Sequence, residues 1–114
     1  MRMTDAATVV GDGVTLDFLQ PFGEVTAYEV TAPEELAERI APAEILLCNK
    51  TAITAAAIAA APGLRFIGVF ATGYNNIDLE AASARGIVVC NVPGYSTEAV
   101  AQHTFALLLA LLNR

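Results

Sequence analysis

Five short apolar runs alternate with segments that carry helix-start and helix-stop residues, and this alternation constrains the fold more than any other feature. Parallel strands are joined by crossovers of about a dozen residues or more, usually helices. The alternation therefore predicts an α/β domain whose parallel sheet is covered by helices on both faces. The runs lie at 7–11, 24–30, 44–48, 64–70 and 87–91.

The ends of the predicted helices can be placed from local chemistry. Thr31 and Glu34 fit a capping box around Pro33, a residue suited to the first helical turn. Thr54 and Asp78 are predicted N-caps of the next two helices. The remaining signals are Pro42, Pro62-Gly63 and Gly86 as helix ends, and Ser96 or Thr97 as the cap of a last helix.

Right-handed crossovers favour a doubly wound, flavodoxin-like sheet of five strands in the order 2-1-3-4-5. This order puts Cys48 on the third strand and Cys90 on the fifth, with the fourth strand between them. Strands two places apart are separated by ~9–10 Å, which is too far for a disulfide. Both thiols are expected to be free.

Composition excludes several classes of function. Hydrophobic residues make up 55% of the 114 residues and charged residues 16%, which is typical of one globular domain. The net charge of −6 and the scattered basic residues argue against a nucleic-acid partner. The N-terminus lacks a secretory signal, and the last apolar stretch is too short and too polar at 102–103 for a membrane span. These features predict a cytoplasmic protein.

The stretch "FATGYNNID", residues 70–78, is the first candidate for a functional loop. It follows a predicted strand, and in an open parallel sheet ligands bind beyond the carboxyl ends of the strands. Gly73 is expected to take a positive φ and to expose main-chain N–H groups that suit a carboxylate. Lys50, at the end of the neighbouring strand, could supply positive charge. From spacing alone, a turn glycine and a solvated surface lysine are the favoured explanation of both residues, because glycine is common at such turns whatever their function.

Other chemistries have weaker support in the sequence. The single histidine, His103, invites a general-base role, but no carboxylate lies three or four residues away on its helix, and a packing histidine is the simpler interpretation. A phospho-acceptor domain would need an aspartate where Asn49 stands. The chain has no G-x-G-x-x-G and no metal-ligand cluster.

Residues 44–114 resemble the D-isomer-specific 2-hydroxyacid dehydrogenases, and most closely their glycerate dehydrogenase/hydroxypyruvate reductase branch. The likeness is carried by "NKTAIT", by "FIGVFATGYNNIDLEAASARGIVVCN" and by "VPGYST…VAQHT". Members of this family have a flavodoxin-like substrate domain and a Rossmann domain that binds NAD(H) or NADP(H). The resemblance implies that residues 1–95 are the substrate domain and that 96–114 are a connecting helix into a Rossmann domain.

The resemblance also implies roles for individual residues. Thr72, Gly73 and Tyr74 would hold the carboxylate of a small 2-oxo or 2-hydroxy acid, with Asn49 and Lys50 lining the same pocket. A second set, Ser96, Thr97 and Val100, would face the nicotinamide of the cofactor. The family's catalytic arginine, glutamate and histidine follow the glycine-rich motif, so no catalytic residue is assigned here.

The main hypothesis is therefore a substrate-binding domain that is inactive by itself and binds no NAD or NADP alone. The alternative is a stand-alone flavodoxin-like module that binds a small molecule or a protein. A reading frame that continues into G-x-G-x-x-G would favour the first. The last helix is apolar all round from Phe105 to Leu112, which predicts self-association through it.

Overall fold

The computed structural model describes residues 1–11 and 13–113, and it contains a five-stranded parallel sheet in the predicted order β2-β1-β3-β4-β5. The strands are Arg2–Met3 (β1), Thr26–Ala27 (β2), Ile45–Cys48 (β3), Phe66–Val69 (β4) and Val88–Cys90 (β5). The α-helices are Pro33–Ile40 (α1), Ala55–Ala60 (α2), Leu79–Ala84 (α3) and Thr97–Leu112 (α4). Two 3-10 helices, Ala6–Thr8 and Asp17–Phe22, lie between β1 and β2.

The first strand was placed wrongly by the sequence pattern. The apolar run 7–11 is not a strand; it begins within a 3-10 helix, and β1 lies earlier, at Arg2–Met3. Met3 is fully buried and pairs in register with Leu47 of β3 and Ala27 of β2. Pairing with two neighbouring strands thus decides the position of β1, and this outweighs the higher β-propensity of the valines that follow.

The predicted capping box of α1 was wrong by one residue. Pro33 occupies the first helical position, so the N-cap is Ala32, and the third helical residue is Glu35. The Glu35 carboxylate accepts a hydrogen bond from the Ala32 N–H at 3.1 Å. Thr31 has a different partner, because its hydroxyl accepts a hydrogen bond from Arg39 at 3.1 Å.

The predicted caps of α2 and α3 are confirmed. The Thr54 hydroxyl accepts from the Ala57 N–H at 3.3 Å, and the Asp78 carboxylate accepts from the Ala81 N–H at 2.9 Å. Gly86, just beyond α3, has a φ of 67°. This left-handed conformation lets the chain leave the helix directly into β5.

The helices α1, α2 and α3 pack their buried residues against one face of the sheet, where Leu46 and Ile67 are fully buried. The opposite face has a smaller core around Met3 and Leu47, to which residues of both 3-10 helices contribute. Val88, on β5 of that face, is 56% exposed. The expectation of a sheet covered on both faces was therefore wrong for the second face over β5, because no helix packs there among the described residues.

The last helix, α4, extends away from the rest of the domain. None of its described residues is buried, and the molecule measures 57 × 32 × 25 Å along its principal axes. Among the residues that the structure describes, no helix is long and apolar enough to cross a membrane.

Both cysteines are free, as predicted, and they differ sharply in environment. Cys48 is fully buried in β3, whereas Cys90 on β5 is exposed. Burial and, secondarily, the negative charge of Asp5 raise the pKa of the Cys48 thiol from 9.0 to about 12. Because the thiolate is the reactive form, Cys48 is unreactive at neutral pH.

We expect iodoacetamide to modify one thiol per native chain, at Cys90, and a second only after unfolding. Intact mass and peptide mapping would measure both. The variant Cys90→Ser should show no rapid labelling. Rapid modification of Cys48 in the folded protein would contradict the packing of β3.

Candidate functional site

Three loops meet at the carboxyl edge of the sheet, where the parallel strands β3, β4 and β5 end. They are the loop after β3 (49–51), the loop after β4 (71–77) and the loop after β5 (91–95). Because the strands are parallel and adjacent, the alternation of strands and helices brings these three polar segments together.

The loop after β4 is fixed to the end of β5. The Thr72 hydroxyl donates to the Val92 carbonyl oxygen at 3.1 Å, and the Asn91 side chain donates to the Thr72 carbonyl oxygen at 2.7 Å. The Val92 N–H donates to the Ala71 carbonyl oxygen at 3.0 Å. The start of the loop therefore has a defined position.

The same loop is fixed on its other side to the segment after β3. The Asn76 side chain donates to the Thr51 carbonyl oxygen at 2.8 Å, and the Ile53 N–H donates to the Asn76 carbonyl oxygen at 2.8 Å. Ile53 and Ile77 also form a parallel β-bridge. Only the tip between these two anchors is left exposed.

The tip of the loop presents main-chain donors. The N–H groups of Thr72, Gly73 and Tyr74 have no acceptor among the described residues, and all three residues are exposed. Consecutive free N–H groups suit an anionic oxygen. The expected positive φ at Gly73 was wrong, since the described glycines with positive φ are Gly13, Gly23, Gly86 and Gly94. The donors are exposed because their neighbours hold the loop, not because of a left-handed glycine.

The loop after β3 has a second set of main-chain donors, but this set is occupied. The Asp5 carboxylate accepts the N–H groups of Asn49 at 2.9 Å and Thr51 at 3.0 Å, and also that of Lys50. The Asn49 side chain donates to the Thr8 hydroxyl at 2.9 Å. Asn49 thus lies at the predicted edge with its side chain turned to the β1 segment, and the Lys50 side chain is exposed.

Sequence reasoning missed Asp5. This residue is only 5% exposed and lies two residues beyond β1. With β1 assigned to 7–11, Asp5 fell before the sheet and drew no attention. The available signal was an acidic residue close behind the apolar residues at the start of the chain. A strand at 2–3 would have placed this acidic residue at the carboxyl edge of the sheet.

The residues that the resemblance assigned to the cofactor lie at the start of α4. Ser96 precedes the helix and makes no side-chain capping hydrogen bond, while Thr97 and Val100 are exposed in its first turn. They follow the loop after β5, on the side of the site next to Val92. His103 is one turn further along α4 and is exposed.

A cavity adjoins the loop after β4. It has a volume of about 370 Å³ and is lined by Val9, Phe70, Val92 and Tyr95. A larger cavity, about 550 Å³, lies beside the start of β2 between Leu16 and Ala27. That cavity lies beside β2, at the opposite side of the sheet from the loops after β4 and β5, so we place the candidate site at the smaller one. No group of three or more metal-ligating side chains occurs among the described residues.

Fold and site together define a flavodoxin-like α/β domain with free main-chain N–H groups at the carboxyl edge of its sheet. The chain belongs to the D-isomer-specific 2-hydroxyacid dehydrogenases, because residues 7–113 match the catalytic domain of that family. The resemblance noted from the sequence is confirmed.

Relatives from different organisms share parts of this sequence. A hydroxypyruvate reductase from Blautia hydrogenotrophica is 41% identical over 98 residues, which cover 83% of this chain and 30% of that protein. A glycerate dehydrogenase from Methylorubrum extorquens is 40% identical over 89 residues, or 77% of this chain and 28% of that protein.

A solved structure supports the fold over almost all residues of this chain. The D-lactate dehydrogenase from Aquifex aeolicus, in complex with NAD and lactic acid, superposes with a TM-score of 0.78 and 25% identity. The match covers 97% of this chain and 33% of that protein. The chain thus spans about a third of the length of these three proteins, and their activities are those of longer chains.

Proposed function

We propose that this chain is the substrate-binding domain of an NAD(P)-dependent D-2-hydroxyacid dehydrogenase of the glycerate dehydrogenase, hydroxypyruvate reductase or glyoxylate reductase type. The observation that carries this proposal is the set of free N–H groups at Thr72, Gly73 and Tyr74. Family membership supports the substrate class, and relatives named hydroxypyruvate reductase and glycerate dehydrogenase support the type.

In this proposal the free N–H groups bind the carboxylate of a small 2-oxo or 2-hydroxy acid. Hydrogen bonds to an ionised carboxylate are about twice as strong as neutral ones. Lys50 is exposed just beyond β3 and would add positive charge at the same edge of the sheet. The cavity lined by Val9, Phe70, Val92 and Tyr95 is mostly apolar and would take the carbon chain of the acid.

The cofactor NAD or NADP would supply or accept the hydride when the intact protein binds it. The residues at the start of α4 fit a role beside its nicotinamide ring, since Thr97 and Val100 are exposed and the Ser96 hydroxyl is not used as a helix cap. Ser96 and Thr97 would donate hydrogen bonds there, and Val100 would provide apolar contact. We expect this chain by itself to bind neither NAD nor NADP.

This chain by itself is proposed to bind the acid without reducing it. His103 lies on the exposed helix α4, and among the described residues the arginine side chains that make hydrogen bonds make them away from residues 72–74. We expect no turnover of hydroxypyruvate with NADH or NADPH. The assay records the absorbance of the reduced cofactor over time. Steady oxidation of the cofactor above the rate without protein would refute the inactive part of the proposal.

Binding itself is tested by titrating the protein with hydroxypyruvate while recording backbone amide signals. We expect the signals of Thr72, Gly73 and Tyr74 to move, because their N–H groups gain an acceptor, while those of Ala57 and Ala81, in α2 and α3, stay fixed. Hydroxyacetone, which lacks the carboxylate, is the matched control ligand and should move none of them. Equal shifts with both ligands would contradict anion recognition.

We further propose that copies of this chain associate through α4. Every described residue of this helix is exposed, including Leu111 at 71%, and an apolar surface of this kind favours contact with another chain. Sedimentation should show a species larger than a monomer at high concentration. Leu111→Glu should shift it toward monomer, whereas Gln102→Glu, the same new charge at a polar position of α4, should not. A monomer at all concentrations would contradict the proposal.

A further inference from the structure

The Asp5 carboxylate lies where an anionic ligand would be expected. It is buried at the carboxyl edge of the sheet and accepts three consecutive main-chain N–H groups, those of residues 49–51. Three such donors around one carboxylate form an anion-binding nest. The nest at the end of β3 is therefore filled by a side chain of the protein itself.

Hydrogen bonds connect this filled nest to the open donors after β4. The Thr51 carbonyl oxygen accepts from the Asn76 side chain at 2.8 Å, and the Asn49 carbonyl oxygen lies 3.4 Å from the same nitrogen. Asn76 belongs to the loop whose tip is 72–74. The Asp5 carboxylate thus fixes the segment on which one end of that loop is anchored.

We propose that Asp5 is a positioning residue for substrate binding. It acts as a built-in anion that satisfies the donors after β3, so that these donors do not compete with those at 72–74 for a 2-oxo acid. By holding residues 49–51 it also fixes the anchor of the loop after β4. This inference rests on the proposed function.

Removal of the carboxylate has two consequences that follow from the geometry. Three N–H groups lose their acceptor, and because leaving such groups unpaired is costly, residues 49–51 are expected to rearrange or to recruit an anion from solution. The Asn76 anchor moves with them. The site at 72–74 should then bind its acid more weakly, even in a chain that is fully folded.

The test compares the wild type with Asp5→Ala, Asp5→Asn and the control Asp17→Ala, which removes an exposed carboxylate from the second 3-10 helix. Affinity for hydroxypyruvate is measured at a temperature well below the melting temperature of each variant. Asp5→Ala is expected to lose about tenfold in affinity or more, with altered amide signals at 72–74 before ligand is added. Asp17→Ala should match the wild type. A residue with only a structural role would lower the melting temperature but leave the affinity unchanged.

Formate provides a second measurement that does not depend on the substrate. In Asp5→Ala it should move the amide signals of residues 49–51, because it can occupy the emptied nest, and in the wild type it should not. If Asp5→Ala does not fold, Asp5→Asn replaces it, since its shape is the same and its carbonyl oxygen still accepts. Failure of the wild type to bind hydroxypyruvate would overturn the proposed function. Binding by the wild type and by the Asp5 variant with equal affinity would overturn this inference alone.

Discussion

Gly73→Pro is expected to weaken binding of hydroxypyruvate more than tenfold, and Gly73→Ala to leave it within about twofold. Proline has no N–H and removes the central donor of the proposed site. A hydrogen bond to a charged group contributes about 1.5–3 kcal/mol, which corresponds to a loss of roughly 10- to 150-fold. Alanine keeps the donor and adds only a methyl group.

Alanine is a suitable control because the structure leaves room for it. A Cβ at Gly73 would lie 3.4 Å from the Asn75 side-chain oxygen, at the edge of ordinary contact, and Gly73 is not in the left-handed conformation. Proline also restricts the residue before it. The amide signal of Val92, whose N–H donates to Ala71, would report whether the start of the loop keeps its position.

Calorimetry or amide titration would give both affinities. If Gly73→Pro binds as tightly as the wild type, the Gly73 N–H is not a donor to the acid. If both variants lose affinity equally, the space at residue 73 matters rather than its hydrogen bond.

Local chemistry explains the parts of the fold that could be predicted. Thr54 and Asp78 cap helices through N–H groups three residues away, so the signal and the structure lie in the same short segment. The order of the strands followed from the handedness of crossovers, which holds for almost all parallel units. The position of the loop after β4 followed from the helix caps and the strand order together.

Long-range contacts explain the parts that could not be predicted. The partners of Asp5 are 44 to 46 residues away, and β1 is defined by pairing with strands that follow it. The conformation of Gly73 depends on anchors at Asn76 and Asn91, which no local pattern specifies. The donors at 72–74 were thus predicted at the correct place but for the wrong conformational reason.

The two faces of the sheet should respond very differently to truncation of a side chain. Ile67→Ala, on the face covered by α1, α2 and α3, removes a fully buried side chain, and such changes cost about 2–5 kcal/mol. Val88→Ala, on the opposite face, removes a side chain that is 56% exposed. It should lower the free energy of unfolding by less than about 1 kcal/mol. Urea unfolding at low protein concentration would give both free energies.

Repeating this comparison at several protein concentrations tests whether another copy of the chain covers the face that carries Val88. At concentrations where chains stay monomeric, the large difference between the two variants should hold, because Val88 is already 56% exposed in the single chain. If copies associate by laying α4 over β5, the cost of Val88→Ala should rise with concentration, while that of Ile67→Ala stays constant. A large cost for Val88→Ala even in the monomer would mean that α4 folds back on its own sheet, and this would contradict both its extended position and the proposed association.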